Sequence, residues 1–136
     1  MIAYVDASVL LRVALGQPDV LVEWPQIQQG VASALVMTES LRALDRLRLR
    51  ASLADKEVAK RRATIFALIA SLELVDIDAV VLDRAAQPMP TELGTLDAIH
   101  LVSARLLGPA LGVVIAYDTR LIGGARAAKL PTIVPR

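Results

Sequence analysis

A chain of 136 residues, 55% of them hydrophobic, is one domain with a sizeable core, which excludes an intrinsically disordered protein. Aromatic residues make up only 3%, so that core is aliphatic and base stacking is not expected to dominate any nucleic-acid recognition. The net charge of +1 is uninformative as a total, and the absence of cysteine excludes both disulfides and thiolate metal sites.

The chain opens on an apolar, β-branched run, Ile2–Val5, which reads as a strand. No basic segment precedes it and it stops at Asp6, so it does not have the form of a signal peptide. ASVLLRVAL follows as a helix that is hydrophobic nearly all round, with Val20, Leu21, Trp24 and Ile27 close behind it. Pro18 and Pro25 bracket a brief helix or loop. Val31–Ser33 is the second strand. The next helix carries Glu39 in its first turn and one apolar stripe, Met37, Leu41, Leu44 and Leu47. Ser52 with Asp55 resembles a capping box for a helix that buries Val58, Ile65, Ile69 and Leu72.

Leu74–Asp76 is the third strand, with Asp76 and Asp78 solvated at its exit. Thr95 reads as the cap of a helix carrying Asp97 and His100 on one face. Val113–Ala116 is the fourth strand, Asp118 opens the last helical segment, and Thr132–Val134 is the fifth strand. Gly123-Gly124 leaves that last helix doubtful or kinked, at ~1 kcal/mol per glycine against alanine. The uncharged stretch Leu106 to Tyr117 is shorter than the ~20 residues needed to span a bilayer. A soluble cytoplasmic protein is expected. Strands alternating with helices predict an α/β domain over residues 1–136 with a parallel sheet of about five strands.

Four carboxylates, Asp6, Glu39, Asp97 and Asp118, each lie beside a strand end or a helix start. Open α/β sheets place ligand sites along that edge. Singly, each acid has a plainer explanation: aspartate is a good helix cap or first-turn residue, and glutamate on an amphipathic helix is usually solvated. Together, four oxygen donors suit a hard divalent cation, and few nitrogen or sulfur donors accompany them, so Mg²⁺ or Mn²⁺ fits better than zinc. That is the pattern of a metal-dependent nuclease.

The motifs IAYVDASVLL around Asp6, Thr38-Glu39, LDAIHL around Asp97 and YDTRL around Asp118, with the closing KLPTIVP, resemble the PIN domain family over essentially the whole chain. Within it they are similar to the small ribonuclease toxins of the VapC type, from type II toxin–antitoxin systems. The resemblance implies a three-layer α/β/α sandwich with the four acids converging in one pocket. Asp6, Asp97 and Asp118 would then hold Mg²⁺, with Mn²⁺ able to substitute, and Glu39 would orient the attacking water or act as its base. It also implies an RNA substrate, a cognate antitoxin and a homodimer, for which the apolar first helix is the expected surface. Two departures stand out. Ala116 replaces a hydroxyl residue usual two places before the fourth acid, and Gly-Gly follows Ile122.

Around this set, Ser8 is a candidate donor behind the carboxylates, and Arg12 and Arg46 are candidate phosphate contacts. Arg46 belongs to a cluster of eight basic residues between Arg42 and Arg62, set against three acids, which reads as a phosphate-tracking surface. His100 is expected to be packed rather than a base. A haloacid-dehalogenase-like phosphotransferase is excluded because Ser8 stands where its second aspartate belongs, and a dinucleotide site is excluded because no G-x-G-x-x-G follows the first strand. The remaining alternatives are a non-catalytic PIN-like module and a housekeeping nuclease without an antitoxin.

Overall fold

Five short strands build the sheet, and in the computed structural model, which describes residues 1–16 and 24–135, all five are parallel. The strands are β1 (Ile2–Val5), β2 (Gln29–Ser33), β3 (Glu73–Val75), β4 (Val113–Ile115) and β5 (Thr132–Ile133). The helices are α1 (Ala7–Ala14), α2 (Leu35–Ala51), α3 (Asp55–Ala70), α4 (Ala79–Ala85), α5 (Thr95–Arg105) and α6 (Thr119–Ala127). The sheet order is β3-β2-β1-β4-β5, so the chain grows outward one way from β1 and then the other way from β4. That reversal opens a crevice between the C-terminal ends of β1 and β4.

Strand alternation assigns the two faces. Ala3, Val5, Ala32, Val113 and Ile115 pack with Val9, Leu10, Val36, Leu44, Ile65 and Ile69 from α1, α2 and α3. Tyr4, Val31 and Val114 face the other way, onto Leu101 of α5 and Leu121, Ile122 and Ala125 of α6. This is the expected three-layer sandwich. Each fully buried aliphatic side chain of these layers contributes about 1.5–3 kcal/mol. No helix among the described residues is long and apolar enough to cross a membrane.

Several local expectations are corrected. Ser52 does not cap α3. It ends α2 in the left-handed region, at φ 50°, and α3 starts after Ala54 with no side-chain cap. Gly94, not Thr95, is the N-cap of α5, and Thr95 is its first helical residue. Glu39 is the fifth residue of α2 and lies beyond its first turn. The Gly123-Gly124 pair does not break α6. A Cβ on Gly124 would lie 3.0 Å from Leu93 Cδ1, so the glycine lets α6 pack tightly there.

The apolar first helix finds its cover inside the domain. Helix α1 packs against α2 and α3, with Ala7, Val9, Leu10 and Ala14 buried. Val20 and Leu21 lie outside the described residues, as does Pro18, while Ile27 packs on the core. Among the described residues, the large apolar side chains left exposed are elsewhere and include Val80 and Leu82 on α4 and Leu96 on α5.

Candidate active site

The crevice between β1 and β4 is where the first acid stands. Asp6 follows β1 directly and is the N-cap of α1, its Oδ2 accepting from the Ser8 backbone N–H at 3.3 Å and from Ser8 Oγ at 2.6 Å. Ser8 Oγ in turn accepts from the Tyr117 N–H at 3.1 Å. One small hydroxyl thereby ties the end of β1 to the end of β4. Asp6 as a residue is only 8% exposed, so its carboxylate is largely desolvated.

Asp118, one residue past Tyr117, is exposed and is the N-cap of α6, accepting from the Arg120 N–H at 2.9 Å. Asp97 is the third residue of α5, half-buried, and makes no hydrogen bond among the described residues. Its carboxyl is raised above the usual aspartate range. Burial is the main cause, with the charges of Asp118 and Asp6 adding to it against the opposing pull of His100 and Arg120. That coupling marks Asp6, Asp97 and Asp118 as neighbours although they lie far apart in sequence.

Glu39 reaches the same place from α2. Its Oε1 is 2.7 Å from His100 Nε2, which is also 3.7 Å from Asp6 Oδ1. Asp6, Glu39 and His100 thus offer ligand atoms that all lie within 4.8 Å of one another. His100 is buried, and its Nδ1 is 2.7 Å from the Tyr4 hydroxyl. Burial alone would depress the imidazole, but the hydrogen bond and charge of Glu39, with the charges of Asp6 and Asp97, outweigh it and hold the His100 pKa above its ordinary value. Burial, reinforced by the Asp6 charge, pushes the Tyr4 phenol up, so it stays a hydroxyl at any physiological pH.

The donor set fits a hard divalent cation. Carboxylate oxygens dominate it, and the Asp97 carboxyl, raised mainly by burial and further by the charges of Asp118 and Asp6, is one whose ionised form a cation would favour. His100 Nε2 faces both Asp6 and Glu39.

The Arg12 guanidinium stacks 3.9 Å from the Tyr117 ring centroid, which puts it beside the crevice. In the basic cluster, Arg42 and Arg48 both pair with Asp45, and Arg61 pairs with Glu57 and donates to the Ala14 carbonyl. Arg62 lies over the Phe66 ring. Arg46, Arg50, Lys56 and Lys60 are exposed and form no ion pair among the described residues.

Tyr4 is the residue that sequence reasoning missed. One signal was available: Tyr4 and Asp6 share strand parity, so both point toward the α5 side of the sheet. The link between His100 and Glu39, 61 residues apart, left no local trace.

Comparison with known proteins places the chain in a family. The PIN domain family model matches residues 3–126. Ribonuclease VapC46 of Mycobacterium tuberculosis is 37% identical over 135 residues, covering 97% of this chain and 96% of that protein. Among solved structures, a toxin–antitoxin complex from Klebsiella pneumoniae superposes with a TM-score of 0.70 at 16% identity, covering 98% of both chains. VapBC2 from Rickettsia felis, bound to a promoter DNA fragment, gives 0.68 at 12% identity with both chains fully covered, a likeness of fold. On the family match and the full-length relative, the chain belongs to the PIN domain family, in its VapC branch.

Proposed function

We propose that this protein is an endoribonuclease that hydrolyses RNA phosphodiesters with a divalent cation, and that it is the toxin of a toxin–antitoxin pair. The observation that carries the reading is the closeness of Asp6, Glu39 and His100 at the switch point of a parallel sheet, with Asp97 electrostatically coupled to Asp6 and Asp118, on a chain 37% identical to a VapC ribonuclease.

Asp6, Asp97 and Asp118 are the residues that would hold the cation, Mg²⁺ in the cell with Mn²⁺ able to substitute. When bound, the cation supplies Lewis acidity toward the scissile phosphate and a nearby water. Ser8 keeps Asp6 Oδ2 occupied, which leaves Oδ1 turned to the pocket. Glu39 Oε1 is held by His100, and the role of the glutamate is to orient the attacking water. Arg12, stacked on Tyr117 at the crevice, and Arg46 on α2 meet phosphates of the RNA strand. An RNA substrate implies a cytoplasmic site of action. The apolar side chains left on α4 and α5 offer surface to protein partners, a cognate antitoxin and a second copy of the chain.

The test is to incubate antitoxin-free protein with total RNA in Mg²⁺, Mn²⁺ or EDTA, beside Asp6→Asn and Asp97→Asn. Discrete cleavage that needs metal and vanishes in both variants is expected. Cleavage that survives EDTA and both substitutions overturns the mechanism. No cleavage by folded, Mn²⁺-bound protein favours the non-catalytic module instead.

A further inference from the structure

Two short hydrogen bonds run behind the acidic pocket and join residues from β1, α5 and α2. The Tyr4 hydroxyl is 2.7 Å from His100 Nδ1, and His100 Nε2 is 2.7 Å from Glu39 Oε1. Tyr4 is 0% exposed and His100 2%, and their rings meet edge-on with centroids 6.0 Å apart. An ionised carboxylate only accepts, so Nε2 carries a hydrogen whenever this bond is made. Tyr4 fixes the ring from behind, giving its hydrogen to Nδ1 of a neutral imidazole or accepting one from a charged ring.

A histidine that merely fills the core is the competing account. It explains the Tyr4 bond but not why the second nitrogen is committed to the pocket's glutamate, 3.7 Å from Asp6 Oδ1. A glutamate side chain has several rotamers to lose, and a buried, doubly held donor selects one of them.

We propose that Tyr4 and His100 form a buried relay that positions the Glu39 carboxylate, with His100 as the positioning residue and Tyr4 as its anchor. The inference rests on reading the acidic pocket as the ribonuclease site. Groups that orient site carboxylates in this way typically change activity 10–100-fold, so an effect of about that size is expected.

Two substitutions divide the imidazole. His100→Gln keeps an amide nitrogen near the place of Nε2 and so keeps a donor to Glu39, whereas His100→Asn keeps one near Nδ1 and serves only Tyr4. With RNA and Mg²⁺, the Asn variant should lose roughly 10–100-fold in kcat with KM little changed, and the Gln variant should recover most of that loss. In a Glu39→Ala background, His100→Asn should cost nothing further. Equal losses for Gln and Asn, or additive losses with Glu39→Ala, overturn the relay.

A second measurement needs neither activity nor metal. In ¹⁵N NMR of the chelator-treated protein, the His100 Nε2–H signal should shift in Glu39→Gln and exchange faster with water in Tyr4→Phe, which removes one hydroxyl from a folded core. A signal indifferent to both changes overturns the relay whether or not the protein cuts RNA. A responsive signal in a protein that cuts no RNA keeps the relay and removes the ribonuclease reading.

Discussion

Helix α2 starts beside the pocket and runs away from it, which makes the path of the RNA strand testable. Arg46 and Arg50 lie seven and eleven residues beyond Glu39, hence about 10 and 16 Å along the axis and within about 20° of its direction. Both are exposed and neither forms an ion pair among the described residues. Arg48, nine residues beyond Glu39, points half a turn away and is held by Asp45 at 2.9 Å. If RNA follows the Glu39 flank, each of the two free arginines neutralises one phosphate. The slope of log affinity against log salt should fall by about 0.7 for each one removed. A fourfold rise in salt would then weaken the parent about 2.6-fold more than either single alanine variant, and about sevenfold more than the double variant. Binding of labelled single-stranded RNA, followed by fluorescence anisotropy in the Asp97→Asn background to prevent cutting, measures this directly. Arg48→Ala is the control and should leave the slope unchanged. The reasoning is refuted if the double variant keeps the parent slope or if Arg48→Ala lowers it equally.

The acidic pocket and the close backbone approaches make further predictions. Asp97 favours its protonated form in the fold, so its contribution to stability is lost as pH rises from the usual aspartate range through the raised folded value. Asp97→Asn should therefore raise the Tm of the protein in EDTA at neutral pH, and Mg²⁺ should stabilise the parent but not this variant; calorimetry reads both. His100 runs the other way: its raised pKa adds stability that is fully present below about 6.5 and lost as pH climbs through the folded value. In EDTA the parent's Tm should fall across that window, and His100→Gln should remove the dependence. At Gly112 a Cβ would meet the Ile2 carbonyl oxygen at 2.9 Å, so Gly112→Ala should cost about 1–3 kcal/mol in urea unfolding by forcing β4 off β1.

The sheet was legible because its signal is local. Ile2–Val5 and Val113–Ile115 are apolar at successive positions, as strands covered on both faces must be, and they proved to be the two strands flanking the switch point. Helix ends were less legible because the cues compete. Ser52 and Asp55 have capping-box spacing, yet the chain needed a left-handed residue to leave α2, and Ser52 took that position. The glycine pair in α6 reads locally as a helix breaker, but the close fit of Gly124 on Leu93 is a tertiary fact. The acids could be marked from strand ends and helix starts, whereas their wiring could not. Tyr4, His100 and Glu39 meet only because β1 and α5 pack face to face and α2 starts at the neighbouring strand's end.

Helix capping and metal binding first look like rival explanations for the aspartates, but at Asp6 the geometry divides them between two oxygens. Oδ2 takes both Ser8 donors and closes the first turn of α1, while Oδ1 faces His100 and the crevice. Capping therefore fixes the carboxylate without occupying the atom a cation needs. Under the proposed mechanism Asp118 would combine the roles in the same way, bonded to the Arg120 N–H while its charge acts on Asp97. Asp97 has no such local partner: its helix is capped by the backbone of Gly94, and its carboxylate makes no hydrogen bond among the described residues. It is the acid whose ionised form the fold does least to satisfy, and so the one whose charge most needs a cation. If one position separates a metal-dependent nuclease from an inert domain of the same shape, it is this one. There, loss of charge should stabilise the protein and abolish its chemistry together, whereas an inert domain would show only the first effect.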